Sequence, residues 1–220
     1  MSRSIVLELG WADTRLALES MNRRPWRALG PWALGGLALA VALLCGAGAV
    51  AALRGPTGPV PAFPGIDATP SVGLAAEIYA RNVLAFALHA FACLSAFVAG
   101  SSLRVASGRG RARVAIGFVA AATLFAVLNQ AWVTGGGAAA LAERLDLSPW
   151  ALLALLTPHA LPELTLIFLP AAAWLLGARD GAWHRLGAAA AVCVAVALPL
   201  LLACAMIETY VTSRVVLHFV

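Results

Sequence analysis

Five apolar stretches of about twenty residues or more run through this chain, at 31–53, 82–103, 114–134, 158–178 and 186–212. A bilayer core about 30 Å thick is crossed by about 20 helical residues at 1.5 Å of rise each. Inside lipid the backbone must satisfy its own hydrogen bonds, and a helix does so within one segment. The stretches therefore predict an all-α, polytopic integral membrane protein with about five transmembrane helices and the lipid bilayer as its first partner. Composition agrees. Of 220 residues, 62% are hydrophobic and only 11% charged, and the mean hydropathy is +0.89, values too apolar for an ordinary soluble domain.

All fifteen basic residues are Arg, and the formal charge of +5 reflects composition more than any affinity for nucleic acid. Their distribution carries the information. Arg3, Arg15, Arg23, Arg24, Arg27, Arg104, Arg109, Arg111, Arg113, Arg179 and Arg185 fall on one side of the expected spans, against Arg54, Arg81, Arg144 and Arg214 on the other. By the positive-inside rule the N-terminus is cytoplasmic and the C-terminus external in a cell membrane. Residues 1–30 form a cytoplasmic segment in which Ile5 to Met21 has the spacing of an amphipathic surface helix, and 31–220 is the membrane domain. The first apolar run is longer than a signal h-region and starts too late for one, so it reads as an uncleaved anchor.

The connections follow from proline and glycine. Gly55 to Gly65 holds four prolines and reads as an external loop, with a short amphipathic helix from Val72 to Arg81 leading into the second span. Gly135-Gly136-Gly137 reads as a flexible turn, and Ala138 to Asp146 as a short surface helix. Cys45, Cys93, Cys193 and Cys204 lie inside spans without CxxC spacing, as apolar packing residues. Trp26, Trp32, Trp132, Trp150, Trp174 and Trp183 stand at inferred span ends, where aromatic belts form.

Against this background the polar residues inside the spans stand out, because hydrocarbon cannot solvate them and an intramembrane ionisable group marks a functional site by default. His159 and Glu163 are four residues apart on one face of the fourth span, flanked by Pro158 and Pro162. Counting along each helix puts them in the outer third of the membrane, level with Glu208 of the fifth span, Asn129 of the third and Asn82 of the second. These five residues form the candidate polar intramembrane cluster. His89, deeper in the second span, reads as a satisfied hydrogen-bonding residue.

The Pro158-His159-Ala160-Leu161-Pro162-Glu163 element, the terminal Ile207-Glu208-Thr209-Tyr210-Val211-Thr212 and the span opening at Asn82 resemble the stage II sporulation protein M family, over roughly Tyr79 to Arg214. The family pattern is an Asn-Asn pair opening a span, an Asn-Gly, then Pro-His-Gly with Glu four residues after the His, and a final Ile-Glu. His159, Glu163 and Glu208 match it, whereas Arg81, Gln130 and Ala160 depart from it. The resemblance implies a membrane scaffold that recruits partner proteins such as cell-wall hydrolases, or a component working with an ABC-type exporter in maturation or export. It carries over no enzyme activity.

Three readings of the cluster follow. In the first, a non-enzymatic component of a cell-envelope complex uses it as a hydrogen-bonded network that fixes the helices and scaffolds other membrane or envelope proteins. In the second, the same His and Glu side chains are protonated and deprotonated during transport or export. In the third, His159, Glu163 and Glu208 hold a metal for intramembrane hydrolysis, although HxxxE lacks the second His and the general base of HExxH. The sequence itself assigns no catalytic residue, no metal ligand set and no cofactor.

Overall fold

The computed structural model describes residues 15–16, 18–19, 25–57, 63, 67–103, 109–179 and 186–219. The N-terminal surface segment apart from a few positions, most of the proline-rich loop, Arg104, Arg185 and the Cys93 side chain lie outside them. Among the described residues the long elements are all helices: α1 (Pro25–Arg54), α2 (Val72–Leu103), α3 (Arg109–Arg144), α4 (Pro149–Arg179) and α5 (Leu186–Ile207). A π-helical turn, Glu208–Thr212, then joins α5 to the short α6 (Ser213–Phe219). Four stretches among the described residues are long and apolar enough to cross a membrane: Leu29–Arg54, Thr123–Arg144, Pro149–Gly177 and Leu186–Val216.

Interhelical contacts fix the relative directions. Gly46 meets Ala131 and Gly135 meets Ala47, so α1 and α3 run parallel, while Gly35 against Ala172 and Gly48 against Trp150 make α4 antiparallel to α1. The His89 ring lies edge-on to Phe168, at 5.3 Å between centroids, one helical stretch beyond the approach of Asn82 to Glu163. This makes α2 parallel to α4. Leu186 against Gly177 and Thr212 against His159 turn α5 and its extension back along α4. The five long helices thus alternate in direction along the chain.

Two sequence expectations fail at the same place. The Gly135-Gly136-Gly137 triplet is no turn, and Ala138 to Asp146 is no separate surface helix: α3 continues through both to Arg144. The glycines are there to let backbones meet. A Cβ on Gly135 would lie 2.7 Å from the Ala47 carbonyl oxygen and 2.7 Å from Val50 Cβ, and one on Gly136 would collide with Thr57. Small residues drive helix contact in lipid because no hydrophobic force separates a helix from its solvent. The short helix expected over Val72 to Arg81 is likewise the first part of one continuous α2.

The real break comes at 145–148. Asp146 has a positive φ of 54°, Leu147 N donates to Ala142 O at 2.9 Å and Asp146 N to Glu143 O at 3.2 Å. These two bonds are the Schellman closure that satisfies the last carbonyls of a helix. Ser148 then caps α4, its Oγ accepting from Ala151 N at 3.2 Å, with Pro149 at the first helical position, where a missing N–H costs nothing. The fourth helix therefore starts at Pro149 rather than Pro158. Glu163 becomes the midpoint of the Pro149–Gly177 span, and His159 lies about 15 Å along it. Along α4, Glu163 sits at the middle and His159 about a third of the way from the Pro149 end.

Beyond this turn the chain builds a small cap. Phe63, 6% exposed, is buried with Ala138, Ala142, Leu152 and Val216, and its N–H donates to Asp67 Oδ2 at 2.7 Å. Arg144 grips both Asp67 oxygens, at 2.6 and 2.9 Å. That guanidinium, with the Phe63 N–H, holds the Asp67 carboxyl below the ordinary aspartate range.

The tryptophans divide. Trp26, Trp132 and Trp150 are exposed, as an interfacial belt requires, and Arg54 lies over the Trp132 ring at 3.8 Å. Trp32 and Trp174, at 9% and 4% exposure, belong to the interior instead. Cys204 is buried and Cys45 exposed.

Candidate functional site

The site is assembled where α2, α4 and the π-turn pack together. Helical spacing gives α4 one face bearing both His159 and Glu163. His159 is buried, at 6% exposure, and its Nδ1 shares a hydrogen bond with Thr212 Oγ1 at 2.8 Å. Thr212 reaches it from the last position of the π-turn. A π-turn adds a residue to the helical repeat and so rotates the side chains that follow, a distortion common at functional sites. Here Thr209 Oγ1 donates to Ala205 O and Ser213 Oγ to Thr209 O, each at 2.8 Å, so hydroxyls on the distorted segment bond to its own carbonyls.

One helical turn beyond His159, Glu163 is half-buried and faces three groups from neighbouring elements. Glu208 from the π-turn and Arg81 from α2 are in electrostatic reach, and the Asn82 side chain is directed at it. Arg81 is also in reach of Glu208, and Cys204, one turn before Glu208, is close to both carboxyls. Asn82 is 4% exposed. Its Nδ2 and Glu163 Oε2 are both fully buried, and neither has a direct hydrogen-bond partner.

Of the sequence-predicted residues, His159, Glu163, Glu208 and Asn82 meet in this region. Asn129 does not join them: it lies on an exposed stretch of α3 with Leu128 and Gln130, and α3 packs mainly against α1 rather than α2. Depth can be counted in a sequence but rotation cannot, and rotation decided its position. His89 is satisfied by its own helix, with Nδ1 2.8 Å from Ala85 O. Sequence reasoning missed Thr212 and Arg81 as members. Arg81 sits directly before Asn82 and so opens the same helix face region, which was the available signal for it; the π-turn that brings Thr212 round has no sequence signature.

Among the described residues no three His, Cys, Asp or Glu side chains converge closely enough to hold a metal ion. The arrangement can do two things chemically. It can join helices through polar contacts, and it gathers two carboxyls and a guanidinium within electrostatic reach of one another. No family model, no curated protein and no solved structure matches the chain.

Proposed function

We propose that this chain is a non-enzymatic integral membrane component of a cell-envelope complex, in which the polar cluster locks the helices into the arrangement that partner proteins bind. The observation that carries this reading is the buried His159–Thr212 hydrogen bond at 2.8 Å. It spends an intramembrane polar pair on joining one helix to the end of another, the ordinary role of polar side chains between membrane helices. The resemblance to the stage II sporulation protein M family points the same way, toward recruitment of envelope proteins such as cell-wall hydrolases. In this proposal all five long helices cross the cell membrane, α2 included, with the N-terminus cytoplasmic and the C-terminus external, as their alternating directions and the Arg distribution support.

Two experiments test it. A reporter that matures only outside the cytoplasm, fused after Val220, should be active; a fusion active only in the cytoplasm contradicts the five-span topology. In native host membranes, Glu163→Gln should leave the chain's abundance and its migration in a larger native assembly largely intact, because the amide keeps shape and some hydrogen bonding, while Glu163→Leu should lower both. Migration of the parent chain as a monomer alone would contradict the scaffold.

A second reading, transport or export through the same cluster, is favoured by the buried, directly unpartnered Glu163 Oε2 and Asn82 Nδ2. A purely structural network gains most when every member is bonded.

A further inference from the structure

Asn129 is an exposed amide within a span, and helix contacts fix its depth. Gly46 meets Ala131 on the parallel α1 and α3, which sets Asn129 level with about Leu44. That is about 15 Å short of Arg54 along the span Leu29–Arg54, and farther still from Leu29. A hydrocarbon core is about 30 Å thick, so in a bilayer the amide lies near the middle, away from water and headgroups. It cannot turn inward either. Val127 and Ala131, each two residues away and so about 200° round the helix, are buried with Ala40, Leu43 and Phe168. The neighbouring Gln130 donates to Thr134 Oγ1 at 3.1 Å within its own helix; among the described residues the Asn129 amide has no such partner.

The residues around it form a seam. Phe125, Leu128, Trp132 and Val133 are exposed with Asn129 on this outer face of α3, and α3 packs mainly against α1 and α4 on its inner face. With Asn129 at position a of a heptad, Phe125 and Trp132 fall at d, and Leu128 and Val133 at the flanking g and e. An amide both donates and accepts, so two facing Asn side chains satisfy each other. Copies of one chain insert in one direction, and a two-fold axis along the membrane normal sets each residue opposite itself at equal depth. A helix from another protein would need a polar group of its own at this level; a second copy brings one by symmetry.

We propose that two copies of this chain pair through the outer face of α3, with the Asn129 amides hydrogen-bonded to each other and Phe125 and Trp132 packed above and below them. Polar side chains join membrane helices in this way. The inference does not rest on the scaffold reading: a chain that pairs with itself but recruits no envelope protein keeps this proposal and loses that one.

The test is energy transfer between full-length chains carrying donor or acceptor tags before Met1, in phosphatidylcholine vesicles over a range of protein-to-lipid ratios. Transfer should exceed that of random mixing, fall on dilution with lipid and be competed by untagged chain. Asn129→Leu, a change on an exposed face that leaves the α1 contact alone, should raise the dissociation constant about tenfold. Asn129→Gln keeps an amide and should stay close to the parent. In a chain whose four cysteines are replaced by alanine, Phe125→Cys should form a disulfide-linked dimer on oxidation, whereas Leu88→Cys, comparably exposed on α2, should not. If the cysteine-free chain does not fold, the energy-transfer curves decide. Transfer no greater than random mixing at every ratio, an Asn129→Leu curve that coincides with the parent's, or equal cross-linking from positions 125 and 88 would each overturn the proposal.

Discussion

His159 Nδ1 and Thr212 Oγ1 lie 2.8 Å apart across 53 residues of chain, so a histidine within one long helix is held by the last residue of a π-turn on another. Both are buried, and each depends on the other for its polar contact. Replacing Thr212 by Val keeps the volume but leaves the imidazole nitrogen without its partner. The expected loss is about 1–3 kcal/mol, the penalty for a buried polar group made orphan. Thermal unfolding in detergent should show Thr212→Val less stable than the parent and Thr212→Ser close to it. Equal behaviour of the two variants would show that the hydroxyl does not matter.

Glycine substitutions give a prediction with an internal control. Gly135→Ala drives a methyl against the Ala47 carbonyl and Val50 Cβ and should cost about 1–3 kcal/mol through overpacking. Gly30, also helical, has nothing within 4 Å of a new Cβ. Gly30→Ala should therefore be neutral or stabilising by up to about 1 kcal/mol, since alanine is the better helix former. The two melting temperatures should move in opposite directions or at least differ clearly; equal shifts would contradict the close α1–α3 approach.

That contrast also explains what was legible in the sequence. The apolar runs predict five spans, and four stretches among the described residues are long and apolar enough to cross a membrane, because length and hydropathy are local properties; spacing alone puts Glu163 and His159 on one face. The glycine triplet reads as a turn because glycine in water breaks helices, whereas here the missing side chains of Gly135 and Gly136 leave room for Ala47, Val50 and Thr57. The apolar run places the fourth span at 158–178, whereas Ser148-Pro149, a cap followed by a first-turn proline, starts the helix nine residues earlier. Asn129 was misassigned because its rotation depends on partners not written into its own helix.

The cap built on Phe63, Asp67 and Arg144 carries a pH dependence. Arg144 and the Phe63 N–H hold the Asp67 carboxyl below its ordinary range, so folding favours the ionised form. The tether's contribution is fully present above the aspartate value of the unfolded chain and is lost as pH falls through the lower folded value. Hydrogen exchange at the described loop residues around Phe63 and Asp67 should accelerate only in strong acid. Asp67→Asn should give that fast exchange already at neutral pH; unchanged exchange in this variant would mean that the tether does not hold the loop.

In the proposed function the polar residues of α4 and the π-turn act as one unit, and a double-mutant cycle measures their coupling directly. His159→Ala and Glu208→Ala, alone and together, are to be compared by unfolding free energy in the same detergent. The cluster predicts that the double variant is little worse than the more damaging single variant, with a coupling of at least about 0.5 kcal/mol, because loss of either residue already loosens the contact between α4 and the π-turn. Strictly additive losses would show that the two residues report on separate environments and that no shared site exists.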